Sequence, residues 1–359
     1  MSQHSSYTSS IWKRLNRNIA GMAGMIIIIL SVICSIFAYA LAPDSSPFAD
    51  DQTVEIQAMP PGHKQLFLKV PVVSGHGGGS WFNGTTPVND LVPINQYSIA
   101  GDSVRIHKYV DEDTSELWVM HIDQLSYRPL EKNFTEKKFL LGTDGFGRDI
   151  ISRLLVGSRI SLSVGLIAVL ISLIVGVSLG AIAGYYRGRV DSIIMWLINV
   201  SWSIPTLLLV FAITMAVGKG FWQIFIAVGL TMWVGVARLV RGQVLYLREM
   251  EFVQAAKALG FSDRRIILRH ILPNITGPLM VISASNFATA IIIEAGLSFL
   301  GIGVQPPQPS WGLMIKENYN FIITDQPFLA LVPGFAIMLL VLSFNLLGNA
   351  LRDAFDVRN

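Results

Sequence analysis

The chain has 359 residues, of which 52% are hydrophobic and 14% charged, and its net charge is +3. That balance excludes a soluble enzyme of ordinary composition and describes a polytopic membrane protein; nucleic acid is not an expected partner. The single cysteine, Cys34, excludes an internal disulfide or a cysteine-based metal site and reads as a packing residue in an apolar run.

Residues 1–18 contain Lys13, Arg14 and Arg17, a basic cluster that predicts a cytoplasmic N-terminal segment. Residues 19–42 follow as the first transmembrane helix, with about the twenty apolar residues a bilayer requires. The run is long for a signal-peptide core and has no clear small-x-small cleavage site, so a retained anchor is expected. Residues 43–138 are polar, with turn clusters at 74–80 and at Asn83-Gly84 and strand-like runs at 66–73, 104–109 and 117–122. They predict a small β-rich extracytoplasmic insertion. Its histidines, His63, His76, His107 and His121, have no helical metal-ligand spacing and read as surface residues, so no metal site is expected.

Residues 139–359 hold the remaining five spans and form the expected core domain. Residues 141–149, LGTDGFGRD, make a tight turn before a helix starting near Ile150. The second span, about 160–183, carries Gly176, Gly180 and Gly184 four apart, a stripe that lets a neighbouring helix approach closely. Arg187 and Arg189 mark the cytoplasmic turn after it. In the third span, about 193–217, Pro205 predicts a kink, either facing a translocation path or a static bend. Lys219 lies in a short outer turn, and the fourth span, about 222–236, is closed by Arg238 and Arg241.

Residues 248–273 read as a soluble-looking helical hairpin between spans. Phe252, Ala255, Ala256 and Leu259 recur at i, i+3, i+4 and i+7, which lines one helix face with small and apolar groups able to dock. Gly260 ends that helix, Ser262 is positioned to N-cap a second one, Asp263 complements its positive end, and Pro273 stops it or sets its exit angle. The fifth span, about 277–300, carries Ser283, Ser285, Asn286, Thr289 and Glu294, of which Asn286 and Glu294 join Pro205 as possible pathway residues. Glu294 lies some 17 residues, roughly 25 Å, along it, near the outer interface, where a structural hydrogen-bonding role is favoured over a place on a solute pathway. The last span runs from about 329 to 351, with Asn345, Gly348 and Asn349 breaking its cytoplasmic half. Lys and Arg crowd the N-terminal segment, the 187–189 turn and residues 238–269, so six spans place both termini in the cytoplasm.

Several of these stretches resemble one family. Gln254-Ala255-Ala256, Gly260 and Ile271-Leu272-Pro273 are similar to the EAA loop of ABC-importer permeases, with Gln254 in place of the family's Glu and His270 at its first Ile position. Residues 141–149, the run from Ser152 to Leu162, the stretches 297–303 and 305–312, and the polar tail at 351–358 resemble the dipeptide and oligopeptide branch, C-type subunit. The resemblance implies an all-α polytopic membrane protein of the type I importer kind, six helices in all. Outside the insertion, it extends over essentially the whole chain. It also implies a homologous permease partner, two cytoplasmic ATPase subunits and an extracytoplasmic substrate-binding protein. The expected ATPase-coupling residues are Gln254, Ala255, Ala256, Gly260, Arg264, Arg265, Leu272 and Pro273. Arg264, Arg265 and Arg269 either contact acidic groups of the ATPase or lie solvated near lipid headgroups. The chain has no G-x-x-x-x-G-K-[ST] loop and no nucleophile and base arrangement, so ATP and Mg are expected on the partner ATPases and no enzymatic activity here. Nickel-chelate and other small-solute importers share these motifs. From other classes, a secondary transporter and a membrane-anchored sensor are the alternatives.

Overall fold

The computed structural model describes residues 12–71, 79–86, 88–111, 113–218, 221–324 and 326–355. His76, Lys219 and the tail beyond Phe355 lie outside the described residues. The chain forms two compact units: one takes in the chain up to Val32, Ser161–Gln305 and the chain from Phe335, the other Ile33–Ile160 and Pro306–Gly334. Helices α1 (Ile19–Ile36), α2 (Ile150–Tyr186), α3 (Gly188–Ser203), α4 (Thr206–Val217) and α5 (Phe221–Arg248) are followed by the short α6 (Glu251–Ala258) and α7 (Asp263–Ile266). Then come α8 (Thr276–Phe299), α9 (Trp311–Asn318) and α10 (Phe328–Phe355). Among the described residues five helical stretches are long and apolar enough to cross a membrane, and a sixth is reached if α3 and α4 count as one.

In the first unit the helices pack through small residues, as they must where lipid supplies no hydrophobic drive for helix association. A Cβ at Gly176 would lie 2.5 Å from Val236 Cβ on α5, at Gly180 2.5 Å from the Ala237 carbonyl, and at Gly184 2.8 Å from the Arg241 carbonyl. The glycine stripe therefore brings the α2 backbone against α5. Gly24 does the same for α1, where a Cβ would sit 2.6 Å from the Ser343 carbonyl of α10.

Three elements differ from the expected pattern. The third span is broken rather than kinked, since α3 and α4 meet at 97°. Pro205 supplies no N–H and drives the preceding residue to extended backbone, and Ile204 (φ −96°, ψ 128°) is extended accordingly. Asn345, Gly348 and Asn349 do not interrupt α10, which runs unbroken to Phe355. Pro273 does not stop the hairpin's second helix: α7 continues through a π turn, Ile267–Ile271, and a 3-10 turn, Leu272–Ile275, into α8. The widened and then tightened turns absorb the proline's missing donor.

The second unit contains a five-stranded antiparallel sheet in the order β6-β5-β4-β1-β7, from β1 (His63–Pro71), β4 (Asn89–Ala100), β5 (Ser103–Tyr109), β6 (Ser115–His121) and β7 (Phe134–Phe139). A separate two-stranded hairpin pairs β2 (Gly79–Ser80) with β3 (Gly84–Thr85). Both faces of the sheet bury apolar groups. Leu68, Ile94, Val104, Ile106 and Phe134 cluster on one side, and Phe67, Tyr109 and Phe139 with Ile56 on the other. Strands β4 and β7 were not anticipated. Pro93 disguises β4, yet it lies just beyond the β4–β5 pairing, which begins at Ile94↔Lys108, where only β1 still pairs with it. The charge-rich sequence of β7, FTEKKF, hides its two buried ends, Phe134 and Phe139.

Candidate functional site

The hairpin between α5 and α8 is built by local chemistry. Gly260 adopts φ +76°, the Gly260 N–H donates to the Lys257 carbonyl and the Phe261 N–H to the Ala256 carbonyl, which is a full Schellman ending for α6. Ser262 stands at the N-cap of α7, but its side chain makes no capping bond. The neighbouring Asp263 carboxylate is engaged elsewhere, accepting from the Tyr185 hydroxyl at 2.6 Å.

The small and apolar residues of α6 divide between two faces. Ala256 is 4% exposed and packs with Val253 into a cluster with Ala181, Tyr185, Val240, Val244, Ile266 and Ile271. Its smallness serves the fit of α6 on the chain's own helices, so Ala256 is not part of the outward surface expected for it. The surface turned outward is Phe252 at 43% exposed, Ala255, Leu259 at 74% and Gly260. Leu272 is partly buried and Pro273 exposed. Gln254 is exposed, and its side-chain Nε2 donates to the Arg248 carbonyl at 3.0 Å, closing the C-terminal end of α5. An amide supplies this donor, which a carboxylate lacks.

Several bonds fix the hairpin to the helix ends. Arg248 donates to the Tyr185 carbonyl. Arg187 pairs with Glu249 at 2.5 Å, and Arg241 holds Asp191 on α3 through two bonds of 2.5 and 2.6 Å. Bidentate pairs of this kind set orientation as well as distance. On the hairpin's second arm, Ser262, Arg264, Arg265, Leu268 and Arg269 line a shallow open hollow, with the Arg265 guanidinium 4.3 Å from the centre of the Phe261 ring.

A second feature lies at the break between α3 and α4. Trp202, Ile204 and Thr206 border a hollow whose other walls include Thr231, Asn286 and Thr289, and every side chain lining it is uncharged. Asn286 Nδ2 is buried there with no hydrogen-bond partner among the described residues. Trp202 is held by Arg238, whose guanidinium lies 3.6 Å from the ring centre and donates to Asn199 Oδ1 at 3.3 Å. Of the three residues considered for a pathway, Pro205 sits at the break and Asn286 in the hollow. Glu294 lies outside that lining, fully buried, where its Oε1 accepts from Ser298 Oγ at 2.7 Å while the same oxygen of Ser298 accepts from the Val304 N–H at 3.1 Å. It helps close the turn after α8.

The LGTDGFGRD turn is the anchor of an ion network that the sequence does not disclose. Arg148 donates to Asp144 Oδ2 at 2.7 Å, Asp50 Oδ1 at 3.0 Å and Glu317 Oε2 at 2.6 Å, and Arg153 reaches the same Glu317 oxygen at 3.1 Å. Burial of the Arg148 guanidinium pulls its pKa down, but Asp144, Glu317 and Asp50 outweigh that and leave it raised. Asp149 accepts from the Ser152 N–H and hydroxyl, while its burial leaves its carboxyl above the usual range. Only the i, i+4 spacing of Asp144 and Arg148 hinted at this network; Asp50 and Glu317 come from 98 and 169 positions away from Arg148.

Comparison with known proteins places this geometry. The family described as binding-protein-dependent transport system inner membrane component matches residues 176–359, and the N-terminal TM domain of oligopeptide transport permease C matches residues 6–61. The dipeptide transport system permease protein DppC of Alkalihalophilus pseudofirmus is 46% identical over 215 residues, 60% of this chain and 70% of that protein. The glutathione transport system permease protein GsiD of Pectobacterium atrosepticum is 43% identical over 216 residues, 60% of this chain and 71% of that protein. Among solved structures, an inward-facing MetNI methionine ABC transporter matches with a TM-score of 0.44 at 16% identity, over 55% of this chain and 96% of that one. With the family match spanning just over half the residues, and relatives above 40% identity aligned over more than two thirds of their own length, this chain belongs to the inner membrane components of binding-protein-dependent transport systems, the permease subunits of ABC importers.

Proposed function

We propose that the chain forms one half of the translocation pathway of an importer for dipeptides or oligopeptides, and that it takes its driving force from ATPase subunits docked on the 248–273 hairpin. The cargo class rests on the likeness to dipeptide and glutathione permeases and to the oligopeptide permease N-terminal domain. In this reading a homologous permease completes the pathway and two cytoplasmic ATPases bind ATP and Mg, which this chain does not bind. An extracytoplasmic binding protein delivers the cargo. Both termini are cytoplasmic, and the β-rich insertion stands on the outer side.

The observation that carries the reading is the outward patch of Phe252, Ala255, Leu259 and Gly260 on a hairpin fastened to α2 and α5. A stiffly mounted apolar knuckle transmits a push from a docked partner as rigid-body movement of the helices behind it. Gln254 and Ala256 serve the mounting, and Arg264 and Arg265 line the open hollow on the hairpin's second arm. The uncharged hollow at the Pro205 break suits a peptide, whose main chain is neutral and rich in carbonyl acceptors for Asn286 Nδ2.

The test is Leu259→Glu in the assembled transporter. Leu259 is exposed, so the chain should still insert and fold, while co-purification of the ATPase subunits and ATP-dependent peptide uptake should both be lost. Unchanged uptake with unchanged co-purification would refute the docking assignment.

A further inference from the structure

The hairpin β2–β3 is too short to be stable alone, yet it is fixed tightly to the chain that follows α1 and to Arg159 within α2. The Thr85 N–H donates to the Ser45 carbonyl at 2.8 Å, Ser45 Oγ and Thr85 Oγ1 lie 2.9 Å apart, and a Cβ at Gly84 would lie 2.8 Å from Pro47 Cα. Arg159 donates to the Phe82 carbonyl at 2.6 Å, and its guanidinium lies between two rings, 4.3 Å from the centre of Phe82 and 4.9 Å from that of Tyr39. The Trp81 ring stacks on Phe37 at 5.9 Å and meets Phe82 edge-on at 5.7 Å. Despite this fastening, Trp81 is 61% and Phe82 47% exposed.

Two independent markers set the level at which these rings lie. Phe37 directly follows α1, whose last turn exposes Ile33 and Ile36 on a helix apolar enough to cross a membrane, and it lies within the apolar run that continues to Ala42. Arg159 directly precedes the apolar run of α2 that begins at Ile160. A residue in the last turns of one apolar run and a cation at the start of another bracket the apolar–polar boundary, and the exposed rings of Trp81 and Phe82 lie against the first and the second respectively. Aromatic rings with a polar edge partition to this level of a bilayer, and an arginine there reaches lipid phosphate.

We infer that the β2–β3 tip is a lipid-binding element: Trp81 and Phe82 lie in the interfacial layer of the bilayer at the end of α1, continuing the lipid-facing surface of that helix, with Arg159 beside them at the phosphate level. The insertion is thereby seated on the membrane as well as tethered to it.

The experiment uses the assembled transporter in phosphatidylcholine nanodiscs, with and without lipid brominated at carbons 6 and 7. The contribution of Trp81 is obtained as the difference in tryptophan emission between the native chain and Trp81→Phe. About half of that contribution should be lost with brominated lipid, and aqueous iodide should have little effect. A parallel measurement on Cys34→Ser/Trp81→Cys carrying a nitroxide should show greater accessibility to oxygen than to a water-soluble nickel chelate. Quenching by iodide alone would place Trp81 in water, and protection from both quenchers would mean that a partner subunit covers it; either result overturns the inference.

Discussion

The Tyr185 hydroxyl lies 2.6 Å from Asp263 Oδ1, joining the last turn of α2 to the first residue of α7 across 78 positions of sequence. Arg248 at the end of α5 donates to the carbonyl of that same tyrosine. One residue thus gathers both arms of the hairpin, which makes it the place to test whether stiffness matters.

Tyr185→Phe keeps the buried ring and removes only the hydroxyl. We expect a loss of about 1.5–3 kcal/mol from the missing hydrogen bond to a carboxylate, read as a fall in the thermal midpoint of the assembled transporter. Peptide uptake per ATP hydrolysed should fall more than stability does. Equal coupling ratios in variant and native protein would show that the hairpin needs no such brace.

Gly180→Ala places a methyl 2.5 Å from the Ala237 carbonyl and 2.9 Å from Val240 Cβ. Separation of α2 from α5 should cost about 1–3 kcal/mol. The control is Gly242→Ala on α5, where among the described residues no atom of another element lies within 4 Å of the new Cβ and helix propensity favours alanine by up to about 1 kcal/mol. Thermal unfolding in detergent compares the two directly: opposite signs are expected, and matching effects would remove the close-approach role of Gly180.

Arg148→Met leaves Asp50, Asp144 and Glu317 facing Arg153 without the guanidinium that bonds all three. Breaking a buried charge network from one side costs about 3–5 kcal/mol, so the variant should accumulate poorly and unfold early. A native-like melting profile would mean that the network contributes orientation without stability.

Asp149 gives a pH dependence with a definite sign. Burial raises its carboxyl above the ordinary value, bonds from Ser152 act in the opposite sense, and the net direction is up. The folded state therefore holds the proton more tightly than the unfolded chain does. The native residue is best tolerated below the unfolded pKa, and its ionisation erodes stability as pH rises from there through the raised folded value. Melting Asp149→Asn alongside the native protein across that window should show the native chain losing ground to the variant with rising pH. A stability difference that stays flat, or runs the other way, would contradict this.

Much of the helical architecture was legible because it rests on local signals. Each span is an apolar window about twenty residues long, and the hairpin turn follows from Gly260 and its neighbours. The β-rich character of residues 43–138 was legible from its turns, although β4 and β7 were hidden by a proline and by consecutive charges. Pro205 announced a disturbance in the third span but not a 97° break, because the angle depends on what α3 and α4 pack against.

The site was legible only as a stretch. Periodicity placed Phe252, Ala255, Ala256 and Leu259 together, but α6 is two turns long and could present either side to the bundle. Packing against Val240 and Val244 chose Val253 and Ala256 for the buried face.

By itself the amino-acid order determined which segments enter the bilayer, where the soluble hairpin interrupts them and which family of permeases they resemble, since transfer free energy and turn chemistry act over neighbouring residues. Tertiary structure alone decided which side of α6 is offered outward, that Arg148 and Glu317 meet, and that Trp81 comes to rest on Phe37. Those are contacts between distant positions, and such contacts leave no period in the chain from which to read them.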